Sequence, residues 1–137
     1  MARTLHKVHY YYVRTPNRPG QSARILGALR DAGVSLLAYS GFPNGRRAQQ
    51  DFVPENPARF AAAMRKLKLQ VSPKKTGFLL KGTDKVGALT DVLSKLAKAK
   101  INVTALDAVT AGQGRFGAIF WVKARDVAKA TKVLGAT

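Results

Sequence analysis

The 137-residue sequence contains no cysteine, one tryptophan, two histidines and only seven acidic residues. Each shortage removes a class of chemistry. Without cysteine there is no disulfide, no thiol nucleophile and no thiolate ligand for a metal. His6 and His9 are the only imidazoles, both at the first predicted strand, with no carboxylate near them in sequence. Neither a catalytic pair nor a metal-ligand set is legible there. No nucleophile elbow and no Gly-Lys-Ser/Thr phosphate loop occur, and Lys81-Gly82-Thr83 reads as a plain loop. No apolar run approaches the ~18 residues of a membrane span. The start, MARTLHKVHYYYV, has no apolar core of a secretory signal. These absences predict a cytoplasmic protein that is not an enzyme, with no cofactor, no metal site and no membrane partner.

What the chain has in excess is positive charge: 24 Lys and Arg against the seven acids, a formal net charge of +17. Such an excess attracts phosphate polymers, acidic membrane surfaces or acidic proteins. It is spread, however, with 12 basic residues up to residue 70 and 12 after it, and no basic block longer than two residues such as Arg46-Arg47. A generally basic solvated surface is the favoured reading, and a dedicated nucleic-acid face is the competitor. Hydrophobic content of 46% is enough for a packed core.

The chain also repeats itself. Shifted by 67 positions, Gly20 falls on Gly87, Ile25 and Leu26 on Val92 and Leu93, Leu29 on Leu96, and Ala32 on Ala99. Val34 and Leu36 then fall on Ile101 and Val103, Gly45 on Gly112, and Val53 on Phe120. Phe60, Ala63 and Leu67 fall on Val127, Ala130 and Leu134. Preserved chemistry at preserved spacing is the mark of a duplicated unit, and the boundary is placed between residues 73 and 74, giving units 1–73 and 74–137.

Each unit reads as strand, helix, strand, strand, helix. In the first, Lys7–Val13 is aromatic and β-branched, a strand. Gln21–Ala32 is a helix stopped by Gly33. Val34–Gly41 and Ala48–Val53 are strands joined at Pro43-Asn44-Gly45. Asn56 caps a helix that has Pro57 at its first position. A last strand is expected near Leu69–Val71. The second unit repeats the plan with Thr76–Lys81, a helix over Ala88–Ala99, Ile101–Val109, a turn at Ala111–Gly114, Arg115–Val122 and a helix from about Arg125. The sequence stops three residues after Leu134, so the second unit lacks its last strand. The fold class is therefore α+β: two ferredoxin-like βαββαβ units, antiparallel sheets with helices on one face, the second missing a strand. The open edge must be covered. Units of this size are marginal alone, so the two are expected to pack together and the chain to dimerise.

The recurring feature is a turn running straight into a helix: Asn17-Arg18-Pro19-Gly20 before Gln21 and Ser22, and Asp84-Lys85-Val86-Gly87 before Ala88. Two ferredoxin-like units in tandem with Asn/Asp-x-x-Gly at this place resemble ACT domains, small regulatory modules that usually bind amino acids. The resemblance spans about residues 7–134. The second turn departs from the family's usual Pro-Gly, having Val86 where Pro19 stands in the first. The resemblance implies a ligand lying where one domain's turn faces a neighbouring domain, and regulation of a separate partner protein, since no catalytic or DNA-binding domain is read in this sequence.

Physical chemistry agrees with such a site. Glycine tolerates the dihedrals of a tight turn and lets a ligand approach the backbone. The first amides of a helix lack intrahelical acceptors and carry the positive end of its dipole, which suits a carboxylate. Asn17 or Asp84 could accept from an α-ammonium group. The plain alternative is that both glycines merely permit close helix–sheet packing and that Asn17 and Asp84 stabilise the turns. A second reading is RNA binding, because RNA-recognition motifs share this topology. Gly114–Trp121 partly resembles their third-strand signature, and Tyr10, Tyr11, Tyr12, Phe78 and Trp121 would be stacking platforms. Aromatics on alternate strand positions are more commonly core.

Overall fold

The computed structural model describes residues 3–137. It forms two compact units: His9–Lys75, and Thr76–Thr137 joined by the chain's N-terminal residues up to Val8. The sequence reading placed those first residues in the N-terminal unit; from residue 3 on they belong to the C-terminal one. The first strand, β1 (Thr4–Pro16), therefore serves both.

In the His9–Lys75 unit, β1 is followed by α1 (Gln21–Asp31), β2 (Leu36–Asn44), β3 (Arg47–Pro54) and α2 (Pro57–Lys66). The strands run antiparallel in the order β2-β3-β1. Their helix-facing side chains Val13 and Phe52 pack with Ile25 and Leu29 of α1 and Phe60, Ala63 and Met64 of α2 in one core. Asn56 caps α2 as its sequence predicts, accepting the Arg59 amide at 3.2 Å beside Pro57. The expected last strand at Leu69–Val71 is not formed. That segment is irregular, held where the Ser72 amide donates to the Tyr12 carbonyl at 3.0 Å, and the Tyr12 amide to Ser72 Oγ at 2.9 Å. Leu69 and Val71 still pack against the core. Pro73 has no amide to donate to a ladder.

The C-terminal unit repeats the order with β4 (Lys75–Thr83), α3 (Thr90–Lys98), β5 (Val103–Gly112), β6 (Arg115–Val122) and, after a single 3-10 turn, α4 (Val127–Leu134). β4, β6 and β5 are antiparallel neighbours in that order, and β1 lies beyond β4. Phe78, Leu80, Phe116, Ala118, Phe120 and Val122 face α3 and α4, and Leu5 from β1 completes this core. The missing last strand is supplied from the other end of the chain. Residues 4–8 take the edge beside β4, and Thr137 ties to them: its amide donates to the Leu5 carbonyl at 3.0 Å and its carbonyl accepts the Lys7 amide at 2.9 Å. Arg3 adds an ion pair to Asp91 of α3 at 2.9 Å.

Strand register refines the repeat. Tyr11 faces Phe52 and Phe78 faces Phe120, so Phe120 corresponds to Phe52 rather than to Val53. β5 carries a bulge between Thr110 and Gly112, whereas β2 pairs without interruption from Phe42 to Asn44. The extra residue, Ala111, moves the correspondence by one through the hairpin. The turns differ accordingly. Gly45-Arg46 has a positive φ only at the glycine, while Gln113 and Gly114 both have positive φ, as a type I′ turn demands.

Candidate functional site

The first turn stands at the end of β1. Gly20 is the N-cap of α1 with φ 90° and ψ −13°, and no side chain caps the helix. Its carbonyl accepts the Arg24 amide, and the Arg18 amide donates to the Pro16 carbonyl, each at 3.0 Å. A Cβ at Gly20 would meet nothing within 4 Å. The glycine is required by its dihedral and not by close packing. Asn17, Arg18, Pro19 and Ser22 are exposed and Gln21 is half-buried. Four concavities of this unit lie away from the turn.

The second turn is built differently. The Asp84 amide donates to the Gly114 carbonyl at 2.8 Å, which ties the turn to the β5–β6 hairpin. The Ala88 amide donates to the Lys85 carbonyl at 3.1 Å and the Thr90 amide to the Gly87 carbonyl at 3.0 Å. These bonds make an extra turn, so α3 begins at Thr90 and not at the expected Ala88, and the Ala88 amide, one of those expected to face a ligand, is engaged. Gly87 has φ +73°, and a Cβ there would touch only Thr90 Oγ1 at 3.4 Å.

Between this turn and the hairpin lies a cavity of about 320 Å³. Asp84, Gly87, Ala88, Leu89 and Thr90 line it from the turn; Ala108, Val109 and Thr110 of β5 and Phe116 of β6 line it from the sheet. Asp84 is its only charged lining group. Phe116 belongs to the core, and its ring lies 3.1 Å from where a Cβ on Gly82 would stand. Of the residues expected from sequence, Asp84, Gly87 and Ala88 come together here. Lys85 does not line the cavity, and Val86 is fully exposed. The residues that sequence reasoning missed are those of β5 and β6, because only sheet pairing brings them to the turn.

In the His9–Lys75 unit, side chains from three strands bond to one another. Tyr39, where Leu106 stands in the other unit, donates from its hydroxyl to Gln50 Oε1 at 2.8 Å, and Gln50 Nε2 donates to Thr15 Oγ1 at 3.3 Å. Gln50 and Thr15 are buried. The Tyr39 hydroxyl lies 3.6 Å from a would-be Cβ on Gly41, the residue corresponding to Ala108.

The aromatic residues considered for RNA stacking are otherwise employed. Phe78 and Phe120 stack on each other at 5.2 Å inside the core, and Trp121 is 5% exposed. Tyr11 stacks on Phe60 at 5.5 Å. Tyr12 carries the Arg14 guanidinium over its ring at 5.0 Å. A β6 platform for bases is thus not available. Burial, with the Asp51 carboxylate and Tyr12 adding to it, pushes the Tyr10 phenol up to about 12. Arg3, and then Lys95, hold the exposed Asp91 carboxyl below its ordinary value. His6 Nδ1 contacts Thr137 Oγ1 and His9 is exposed. Among the described residues no group of three His, Asp or Glu side chains comes together, and no helix is long and apolar enough to cross a membrane.

No family model matches the sequence, and no curated protein matches it. Solved structures share the fold. Protein BT0572 from Bacteroides thetaiotaomicron superposes with a TM-score of 0.81 at 15% identity, over 96% of this chain and 88% of that one. The ligand-free regulatory subunit of aspartate kinase from Thermus thermophilus gives 0.66 at 14% identity, over 98% and 96%. Its counterpart from Thermus flavus gives 0.64 at 15%, over 98% and 94%. The α+β architecture is thus that of known regulatory subunits.

Proposed function

We propose that the protein is a regulatory module without catalytic chemistry of its own. In this reading it binds a small molecule, an amino acid, at the turn opening α3 and acts as a cytoplasmic homodimer on a separate partner protein. One observation carries the reading: the cavity of about 320 Å³ combines a carboxylate, a helix start and an apolar wall. That volume lies at the small end of ligand pockets. The Asp84 carboxylate takes the ligand's ammonium group, while the α3 start and the Thr90 hydroxyl take its carboxylate. Ala108, Val109 and Phe116 receive the side chain. The fold shared with regulatory subunits of aspartate kinase supports a regulatory role. The Asn17–Ser22 turn is the weaker site, since the four concavities of its unit lie away from it. Binding in the C-terminal unit acts by favouring one arrangement of the assembly over another.

The test is a thermal-shift panel of the twenty amino acids on the full chain. A ligand at a hundred times its dissociation constant stabilises by about 2.7 kcal/mol, several degrees. Ala108→Trp, which fills the cavity from an exposed strand position, is expected to abolish the shift while leaving the ligand-free melting temperature unchanged. A flat panel, or a shift that survives both Ala108→Trp and Asp84→Asn, overturns this site.

A further inference from the structure

The His9–Lys75 unit holds twelve Lys and Arg against three Asp and Glu, and part of that excess is gathered in one groove. A concavity of about 510 Å³ is lined by Tyr12 and Arg14 of β1, Arg47 of β3 and residues 68–73 after α2. Three cations from three separate elements, Arg14, Arg47 and Lys68, face this space, and no acidic residue lines it. Lys75 stands beside it, its ammonium 5.9 Å from the centroid of the Tyr12 ring. None of the four has a carboxylate within ion-pair distance among the described residues.

The cations are also fixed in place. Arg14 lies over the Tyr12 ring at 5.0 Å and Arg47 Nη2 donates to the Arg14 carbonyl at 3.1 Å. Cation–π contact holds the Arg14 guanidinium and a backbone bond holds that of Arg47, both lining the same groove. Gathering like charges without a counter-acid costs free energy, which an anion in the groove returns. The groove exists because the segment after α2 is irregular. Leu69, Gln70, Val71, Ser72 and Pro73 form its wall where a regular strand would have lain flat against β1.

We propose that this groove is a binding site for a phosphate-bearing ligand, with Arg14 and Arg47 as forked donors to phosphate oxygens and Lys68 and Lys75 as point charges. The site is separate from the α3 turn and independent of the amino-acid reading. The chemistry is shared by a small phosphorylated molecule and by the backbone of a single-stranded RNA. The Tyr12 ring holds the cations here and is not a base platform.

Isothermal titration of the full chain with pyrophosphate, and anisotropy with a labelled single-stranded RNA octamer, separate the two sources. Both are run at low and near-physiological salt. Arg14→Gln with Arg47→Gln is expected to weaken binding by about ten-fold or more, while Arg24→Gln with Lys98→Gln, charges removed elsewhere, leaves it within two-fold. Lys68→Gly is a second variant, because its left-handed backbone, φ 56°, suits glycine; it is expected to weaken binding without loss of stability. Pyrophosphate binding with no gain for RNA assigns the groove to a small phosphorylated molecule. Tighter RNA binding, with affinity falling by about 0.7 log units per log unit of salt for each phosphate engaged, assigns it to a strand. Absence of binding to both probes at low salt overturns the proposal, as does equal weakening by the control pair.

Discussion

Each of the four helices ends on a residue whose backbone turns left-handed: Gly33, Lys68, Lys100 and Gly135, with φ between 56° and 70°. Each then closes with the same pair of bonds. After α1 these are Gly33 amide to Arg30 carbonyl at 3.0 Å and Val34 amide to Leu29 carbonyl at 2.9 Å; after α3 they are Lys100 to Ala97 and Ile101 to Leu96, both at 2.9 Å. This Schellman arrangement satisfies carbonyls left over at the helix end. Two of the four positions are occupied by lysine, which has a Cβ to clash where glycine has none. Lys100→Gly is therefore expected to stabilise the C-terminal unit by about 1 kcal/mol, read as a rise of a few degrees in melting temperature. A fall would mean that the lysine side chain holds something that outweighs the relief of strain. Gly33 is recognisable as a stop in the sequence because glycine advertises the conformation. Lys68 and Lys100 are not, because nothing in a lysine signals a left-handed backbone.

At the scale of elements the decisive part is β1. Its residues 4–8 fill the edge beside β4 and bury Leu5 to 8% exposure among Phe78, Leu80 and Phe116. Leu5→Ala should cost about 2–4 kcal/mol, the range for truncating a buried leucine. The readout is direct, because Trp121, the single tryptophan, lies in β6 of the same unit. Its fluorescence in a denaturant titration should report a lower midpoint. Unchanged tryptophan fluorescence with an unchanged midpoint would show that the first residues are not part of that core. The same pattern explains why the sequence misplaced them. KVHYYYV reads as one strand, and nothing in its alternation marks where it leaves one sheet partner and takes another. The unformed strand at Leu69–Val71 has the opposite cause. Its apolar residues are real and pack on the core, but Ser72 supplies the bonds to Tyr12 and Pro73 limits further pairing.

For the whole molecule the net charge of +17 is the governing quantity. Ion pairs engage Arg3, Arg30 and Lys95, but the 24 cations far outnumber the seven acids, so most cations repel one another. Screening shortens that repulsion to about 8 Å at physiological ionic strength. The melting temperature should therefore rise by several degrees between 20 mM and 500 mM KCl, with chloride chosen because it is not strongly excluded from protein surface as sulfate is. A melting temperature that falls with salt would mean that attractive pairs dominate instead. The same screening weakens any anion held in the Arg14–Arg47–Lys68 groove, so stability and phosphate binding should move in opposite directions with salt.

The sequence by itself determined the order of strands and helices apart from the expected strand at Leu69–Val71, the capping of α2 by Asn56 and Pro57, the glycine turns before α1 and α3, and the stop at Gly33. All of these are local: they follow from periodicity over a few residues and from side chains that bond to, or constrain, their own backbone. Tertiary structure alone decided four things. Residues 4–8 close the C-terminal unit, α3 starts at Thr90, and Ala108, Val109, Thr110 and Phe116 join Asp84 and Gly87 around one cavity. Tyr39, Gln50 and Thr15 bond to one another across three strands of the other unit. Three of these depend on which strand pairs with which and in what register; the α3 start depends on the turn bonds to Lys85 and Gly87 and on the tie from Asp84 to Gly114. A single bulge at Ala111 shifts that register by one residue, and no local pattern along the chain encodes it.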